Sequence, residues 1–170
     1  MPSLSIRDIT PWRAAIAVFI GATATIVGAW IFQFSGIVPC ELCLKERWLY
    51  YAGIPLAALV AVVASRGPRM LVLPGLLLLA LVFAGSAVFG FYHAGVEWHF
   101  WQGPTDCTGA LSSAPNVNDF LQQLQETKIV QCDVVQIRIL GLSLAGWNGV
   151  ISAAMCLVAL AGAWNSRGKK

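Results

Sequence analysis

Charged residues are scarce in this chain of 170 residues. Only 11% of the residues are Asp, Glu, Lys or Arg, whereas 58% are hydrophobic. Soluble domains carry about 25% charged residues, so this chain has too little polar surface to cover a water-facing exterior. The lipid bilayer is therefore the expected solvent. The sequence also lacks a basic stripe with interleaved aromatic residues, which argues against nucleic acid as a partner.

Charge is missing altogether from four long apolar runs, at residues 14–34, 48–64, 70–92 and 142–164. A membrane-spanning helix needs about 17–25 such residues, and helices satisfy their own backbone groups in lipid. The sequence therefore predicts an all-α membrane protein, with four transmembrane helices in an antiparallel bundle that forms a single integral membrane domain over residues 1–170. For the first run, a cleaved signal peptide is an alternative, which the continuation of the run past Ala22-Thr23-Ala24 disfavours.

Lysine and arginine are unevenly distributed around the four runs. Seven of the eleven lie near the chain ends or between the second and third runs: Arg7, Arg13, Arg66, Arg69, Arg167, Lys169 and Lys170. Cytoplasmic segments are enriched in these residues, so both termini are predicted to be cytoplasmic in a bacterial inner membrane. The connections at residues 35–47 and 93–141 are then periplasmic. The runs hold no charged residue or histidine, which argues against transport of charged solutes.

Four of the five cysteines fall in the two connections that are predicted to be periplasmic. Cys40 and Cys43 form a C-x-x-C motif, and Cys107 and Cys132 bracket 24 residues. The periplasm is oxidising, so these thiols can form and keep disulfides. Cys156 lies inside the fourth run and is expected to be a small buried apolar residue.

The C-x-x-C motif alone fits a redox pair, half of a zinc site or a structural loop. Pro39 precedes the motif, and the second helix is expected to begin at or near it. The positive end of the helix dipole lowers the pKa of a cysteine in that position. Arg47, one helical turn after Cys43, would stabilise a thiolate there. Although Arg47 could instead extend to lipid phosphate, these neighbours favour a redox pair.

Cys107 and Cys132 admit two interpretations. As a structural disulfide they would stabilise the connection by about 3–3.5 kcal/mol on the chain-entropy model. As a second redox pair they would exchange with the C-x-x-C motif, since a thiolate attacks a disulfide through a mixed intermediate. The turn-rich stretch at residues 103–109 and the other pair on the same side favour exchange. A zinc site that adds His93 and His99 is disfavoured, because there is no second close cysteine pair, and no metal is predicted.

Apolar residues recur at helical spacing between these two cysteines, at Val117, Phe120, Leu121 and Leu124. This spacing predicts a short amphipathic helix on the membrane surface within the periplasmic connection. A helix that packs on the end of the bundle is the equal alternative.

Five segments, taken in order, resemble the disulfide bond formation protein B (DsbB) family over nearly the whole chain. They are PCELCLKER at residues 39–47, YH at 92–93, GPTDC at 103–107, CD at 132–133 and LGLSLAGWN at 140–148. The chain is also similar to the vitamin K epoxide reductase-like proteins. Those proteins place the C-x-x-C motif after the loop cysteines, whereas here it comes first.

The resemblance implies an oxidoreductase that reoxidises a periplasmic thioredoxin-like (DsbA-type) dithiol protein and passes the electrons to a membrane quinone. The enzyme would thereby generate disulfides for folding proteins. The quinone is expected to be ubiquinone, with menaquinone as the alternative, bound near the start of the second span. A non-catalytic tetraspan scaffold with structural disulfides is the alternative function.

The resemblance also implies a role for individual residues. Cys40 and Cys43 would be the quinone-coupled catalytic pair, and Cys43, Arg47 and His93 would contact the quinone. The catalytic pair that faces the partner would be Cys107 and Cys132, with Cys107 forming the mixed disulfide. Cys156 has no counterpart in the pattern.

Overall fold

The computed structural model describes residues 9–104, 116 and 131–167. Within these residues the elements are helices α1 (Pro11–Phe34), α2 (Glu41–Arg66), α3 (Val72–Glu97) and α4 (Leu144–Arg167), with strands β1 (Arg138–Ile139) and β2 (Leu142–Ser143). A 3₁₀ turn at Arg69–Leu71 leads into α3, and the two strands pair antiparallel just before α4. The predicted amphipathic helix lies outside the described residues.

Local sequence signals explain where the first two helices begin. The Thr10 side chain accepts a hydrogen bond from the Arg13 backbone N–H, and Pro11 occupies the first turn of α1. At the start of α2 the Cys40 sulfur accepts from the Cys43 backbone N–H over 3.4 Å. The helix therefore begins at Glu41, and it carries the charged segment before residue 48 as part of its first two turns.

Short connections make consecutive helices antiparallel. Each helix of 24–26 residues is about 36–39 Å long, whereas the six residues between α1 and α2 reach at most about 20 Å. Helix α4 also runs opposite to α3, because Gly90 near the end of α3 contacts Gly149 near the start of α4. At the other end Leu76 lies beside Gly162. The described helices thus form the predicted four-helix bundle.

Glycine allows the closest approach between two helices. A Cβ atom on Gly90 would lie 2.6 Å from the backbone nitrogen of Gly149, which is closer than real Cβ contacts permit. Small residues at such a crossing let membrane helices pack backbone against backbone. This contact fixes the start of α4 against the end of α3, and both segments contribute to the site described below.

Apolar side chains cover the outside of the bundle as well as its core. Each helix exposes a large aliphatic residue near its middle, namely Ile20, Leu59, Leu81 and Leu157, all at least 60% exposed. All four helices are long and apolar enough to cross a membrane. Together with the buried core around Tyr50, Phe83 and Met155, this pattern describes a multi-pass membrane protein whose outer surface faces lipid.

Candidate functional site

The C-x-x-C cysteines lie together at one end of the bundle, at the start of α2. The Sγ atoms of Cys40 and Cys43 are 3.0 Å apart and share a hydrogen bond. Both are free thiols in this structure. A disulfide needs its sulfur atoms about 2.0 Å apart, so a small side-chain movement suffices to join or separate them. The structure thus brings together the two cysteines that the sequence analysis assigns to a redox pair.

Neighbouring groups stabilise the thiolate form of Cys40. A hydrogen bond from the Cys43 thiol is the largest contribution, and the His93 side chain and its charge add to it, whereas burial opposes it. Together they lower the pKa of Cys40 from 9.0 to about 4. A thiolate is the nucleophilic form of cysteine, so Cys40 is chemically reactive at neutral pH.

His93 joins Cys40 to a buried carboxylate. Its Nε2 lies 3.6 Å from the Cys40 Sγ, and its Nδ1 lies 2.8 Å from the Glu46 Oε1. Both His93 and Glu46 are buried. His93 lies on α3, which continues to Glu97, and not in the following connection. The structure therefore places His93 beside the cysteine pair, and it adds Glu46 as its partner.

A chain of polar side chains continues from Glu46 into the bundle. The Asn148 Nδ2 donates to the Glu46 Oε2 over 2.9 Å, and the Tyr50 hydroxyl donates to the Asn148 Oδ1 over 2.5 Å. The Tyr50 hydroxyl also lies 2.9 Å from the Ser152 Oγ, which in turn lies 2.9 Å from the Ser86 Oγ. Ten residues of α2 separate Cys40 from Tyr50, so the chain reaches about 15 Å into the apolar core.

A largely apolar cavity of about 330 Å³ adjoins these groups. Cys40, Cys43, Glu46, Arg47 and His93 are among the residues that line it. Its apolar walls include Ala24, Ala29, Phe32, Ile37, Val38, Leu144 and Ile151. A pocket of about 300–1,000 Å³ with apolar walls and a few polar groups is typical of a small-molecule site.

Arg47 is held at the cavity by a residue of α1. Its Nη1 donates to the Gln33 Oε1 over 2.6 Å, and a guanidinium has five N–H groups, so it can serve more than one acceptor. Gln33 also lines the cavity. Its role was not predicted, because a single glutamine at the end of an apolar run carries no pattern of its own.

The segment before α4 packs on the same end of the bundle. Cys132 is disulfide-bonded and buried, and it shares an apolar cluster with Cys40, Leu42 and Val96. Cys107 lies outside the described residues, so its pairing with Cys132 stays a prediction. The Gln136 side chain donates to the Val38 carbonyl over 2.6 Å, which ties this segment to the connection before α2.

Of two further ionisable residues, Glu97 lies at the cavity and Cys156 does not. Glu97 lines the cavity, and its Oε2 is shielded from solvent without a hydrogen-bond partner in the described part of the chain. Cys156 packs half-buried against the middle of the core and does not line the cavity. It has no part in the predicted exchange between the two cysteine pairs.

The donor atoms of Cys40, Cys43 and His93 lie within 4.8 Å of one another, which is close enough for three groups to share a metal ion. Three donors are one fewer than the four of a structural zinc site. His99 does not belong to this group. The arrangement therefore serves thiol chemistry more readily than structural metal binding.

Glu46, Tyr50, Asn148 and Ser152 are the functional candidates that sequence reasoning missed. Glu46 and Asn148 belong to the segments that resemble the family, but the resemblance implies no role for them. One signal was available, because a polar side chain inside an apolar helix points to a functional site. The sequence alone did not indicate which of these side chains meet.

Comparison with known proteins gives consistent matches over most of the chain. Residues 11–162 match the family model described as "Disulfide bond formation protein DsbB". The "Disulfide bond formation protein B" of Marinobacter nauticus is 29% identical over 160 residues, which cover 88% of this chain and 89% of the relative. The protein of the same description from Albidiferax ferrireducens is 27% identical over 142 residues, with 81% and 78% covered. No solved structure matches the chain significantly.

Proposed function

Because the chain belongs to the DsbB family of disulfide bond formation oxidoreductases, we propose that it reoxidises a periplasmic thioredoxin-like (DsbA-type) dithiol protein and passes the electrons to a membrane quinone. The observation that carries this proposal is a reactive cysteine pair beside an apolar cavity in a membrane-spanning bundle. The Sγ atoms of Cys40 and Cys43 are 3.0 Å apart, and both residues line that cavity.

The lining of the cavity fits a quinone. A quinone presents a flat apolar ring with two carbonyl oxygens and carries an apolar tail. The walls of the cavity supply apolar side chains such as Phe32 and Ile151. Arg47 supplies hydrogen-bond donors for a carbonyl oxygen, and His93 supplies one when its Nε2 is protonated. Cys43, Arg47 and His93 are the residues that would hold the ring. Ubiquinone is the proposed quinone, with menaquinone as the alternative.

Electrons enter through the pair that faces the partner. A thiolate of the reduced partner attacks the Cys107–Cys132 disulfide at Cys107 and forms a mixed disulfide, and Cys132 leaves as the thiolate. The second partner thiolate then resolves the mixed disulfide and releases Cys107. The partner becomes a disulfide, and Cys107 and Cys132 become a dithiol, so two electrons have moved.

The second exchange carries the electrons to the cavity. The Cys132 thiolate attacks the Cys40–Cys43 disulfide, and the contact of Cys132 with the cluster around Cys40 supports this step. The 107–132 disulfide then re-forms and leaves Cys40 and Cys43 as a dithiol. A bound quinone supplies the acceptor for the two electrons and two protons of this dithiol. Arg47 stabilises negative charge that develops in this low-dielectric cavity.

The proposed orientation places this end of the bundle in the periplasm. The partner-facing pair must reach a soluble periplasmic protein, and the distribution of Lys and Arg supports the same orientation. Both termini are then cytoplasmic in a bacterial inner membrane. Thiol labelling in intact cells tests this, since an impermeant reagent should reach a cysteine introduced in the 131–143 segment but not one introduced at either terminus.

Quinone reduction by the purified protein tests the proposed reaction. Full-length protein in detergent receives a reduced thioredoxin-like protein and a soluble ubiquinone analogue, and the quinone absorbance is followed. Cys43→Ser should abolish turnover, because no disulfide can form at the cavity. Cys156→Ser is the matched control and should keep full activity. Unchanged turnover in Cys43→Ser would contradict the proposed route.

A non-catalytic tetraspan scaffold predicts a different behaviour of the same cysteines. In a scaffold, disulfides remain oxidised in every condition of the cell. In the proposed enzyme, cells without quinone accumulate the reduced form of both pairs. Acid quenching followed by thiol alkylation distinguishes the two functions.

A further inference from the structure

We propose that His93 and Glu46 act as a dyad that accepts the proton of the Cys40 thiol, and that Tyr50 and Asn148 orient this dyad. The inference rests on the proposed function, in which Cys40 alternates between a thiol and a disulfide. It assigns His93 a role toward Cys40 in addition to the role toward the quinone that the resemblance implied. Glu46, Tyr50 and Asn148 receive their first assigned role.

Hydrogen-bond chemistry fixes the direction of each bond in this network. The amide oxygen of Asn148 has no hydrogen, so the Tyr50 hydroxyl must be the donor between them. The Asn148 amide then directs its NH₂ group at the Glu46 Oε2. The other carboxylate oxygen of Glu46 lies 2.8 Å from the His93 Nδ1. With both of its oxygens facing donors, Glu46 is held as a carboxylate acceptor.

The tautomer of His93 follows from that acceptor. A carboxylate accepts hydrogen bonds and does not donate them, so the hydrogen of a neutral imidazole lies on Nδ1. The other ring nitrogen, Nε2, is then the basic atom, and it lies 3.6 Å from the Cys40 Sγ. A cysteine, an imidazole and an orienting acidic group in this order are the arrangement that activates a nucleophilic thiol.

The proton transfer is an acid–base step without electron movement. The S–H bond of Cys40 breaks, and an N–H bond forms at the His93 Nε2. The thiolate of Cys40 is then paired with an imidazolium, whose charge the Glu46 carboxylate balances on the far side of the ring. When Cys40 and Cys43 later form their disulfide, this proton and that of Cys43 leave with the two electrons.

Burial makes the orientation of the dyad depend on few groups. Glu46 and His93 are 7% and 1% exposed, so water cannot replace a lost partner readily. The Tyr50 hydroxyl is in turn held by Ser152, which also contacts Ser86. Without the Tyr50 hydroxyl, the Asn148 amide is free to turn its oxygen toward Glu46, and the carboxylate loses its second donor.

Few other titratable groups face the dyad. From α2 these are Cys43, Arg47 and Tyr50, with Cys40 just before the helix, and from α3 there is Glu97. Cys132, before α4, joins them as a thiol once its disulfide is reduced. The residues of α1 and α4 that line the cavity carry no titratable side chain, and Arg138 of β1 interacts with Glu97. The pH response of Cys40 therefore reports mainly on its own pair and on the dyad.

Alkylation of Cys40 as a function of pH tests the inference. Full-length protein in detergent is reduced, treated briefly with iodoacetamide between pH 3.5 and 9, and digested, and mass spectrometry quantifies modified Cys40. Tyr50→Phe removes only the hydroxyl, and Tyr51→Phe is the matched control because Tyr51 lies on the exposed surface of the same helix. Thermal unfolding of each variant verifies that it is folded.

The expected midpoints separate the dyad from simpler explanations. Glu46→Gln should move the Cys40 midpoint upward by about 1 pH unit or more, because His93 loses its counter-charge. Removal of a negative charge beside a thiolate, without a dyad, would instead move it downward. Tyr50→Phe should give a smaller upward shift, and Tyr51→Phe none.

Each outcome decides one part of the inference. A downward or absent shift in Glu46→Gln overturns the dyad, and equal midpoints in Tyr50→Phe and Tyr51→Phe overturn the orienting role of Tyr50. The alkylation mixture contains neither quinone nor partner. A protein with the expected midpoints that fails to reduce quinone would therefore contradict the proposed function alone.

Discussion

The Cys40 Sγ lies 3.6 Å from the His93 Nε2, although the two residues are 53 positions apart in the chain. The start of α2 and the end of α3 meet at one end of the bundle and bring them together. A cysteine at a helix N-terminus beside an imidazole is a setting that stabilises a thiolate. The contact with His93 therefore stabilises the thiolate of Cys40 and distinguishes this cysteine from Cys43 in the C-x-x-C motif.

The reactivity of reduced Cys40 should be nearly independent of pH around neutrality. Its pKa is lowered to about 4, so the thiolate is almost fully formed at pH 6 and at pH 8. An ordinary thiol with a pKa of about 8.5 would react roughly 75-fold faster at pH 8 than at pH 6. Iodoacetamide labelling of wild-type protein, quantified at Cys40, measures the ratio.

The denatured protein provides the control for that measurement. Unfolding separates Cys40 from Cys43 and His93, so its labelling rate should regain the steep rise with pH. The lowered pKa also favours the folded, reduced protein at pH values above that of a free thiol. This stabilisation declines as the pH falls and is lost below about 4. An equally steep rise in native protein would contradict the stabilised thiolate.

Substitution of Arg47 should impair quinone reduction far more than substitution of another arginine on the same helix. Arg47→Leu removes the cationic donor at the cavity, and loss of such a group typically costs about 10²-fold in kcat. Gln33→Leu leaves the charge but releases its hydrogen bond to the Arg47 Nη1. We expect a few-fold rise in KM for the quinone and a smaller change in kcat.

Arg66→Leu is the control for Arg47→Leu, because Arg66 ends α2 at the opposite side of the bundle. Steady-state kinetics with a soluble ubiquinone analogue compare the three variants. If Arg47→Leu and Arg66→Leu have the same kinetics, Arg47 has no function at the cavity.

The sequence predicted the helical bundle because its signal is local. Each span is a continuous apolar run, and α1 and α2 contain their runs with additional turns. Helices α3 and α4 begin two residues inside their runs, after the 3₁₀ turn and after β2, and both extend past the C-terminal ends of the runs. The second apolar run begins only at residue 48, because Lys45, Glu46 and Arg47 are charged, and it therefore does not predict that these three residues are helical. In the structure α2 begins at Glu41, since Cys40 caps it, and the charged turn lies on the helix.

The partners inside the site could not be predicted from the sequence. His93 contacts Glu46 at a separation of 47 residues, and Asn148 contacts Glu46 at a separation of 102. Such pairs depend on which faces of three helices meet, and the bundle is apolar on nearly every face, so periodicity gives no orientation. The C-x-x-C pair was predictable because its geometry is set within one helical turn.

Removal of Cys132 should trap the periplasmic partner. In Cys132→Ser, Cys107 remains a thiol without its internal disulfide partner. Its thiolate attacks the disulfide of the oxidised partner and forms a mixed disulfide, which the missing Cys132 cannot resolve, so the adduct should accumulate. Non-reducing electrophoresis of cell membranes followed by mass spectrometry of the adduct measures this outcome. The double variant Cys107→Ser/Cys132→Ser is the control and should form none. An equal adduct in both variants would exclude Cys107 as the partner-facing residue.

A methyl group on Gly90 should separate α3 from α4 and weaken the bundle. The added Cβ would lie 2.6 Å from the Gly149 backbone nitrogen and 3.1 Å from the Asn148 Nδ2. Backbone atoms in two packed helices cannot move aside as a flexible side chain can, and overpacking of this kind costs about 1–3 kcal/mol. We therefore expect Gly90→Ala to unfold at a lower temperature in detergent than the wild type. The shift of Asn148 should also raise the pH midpoint of Cys40 labelling.

Gly85→Ala is the matched control on the same helix. A Cβ atom at Gly85 would have no neighbour within 4 Å, and alanine favours the helical state over glycine by up to about 1 kcal/mol. Its unfolding temperature should therefore equal or exceed that of the wild type, with an unchanged Cys40 midpoint. Because both variants add one methyl group to α3, a difference between them measures the contact with α4. Equal unfolding temperatures would contradict the close approach of Gly90 and Gly149 that sets Asn148 beside Glu46.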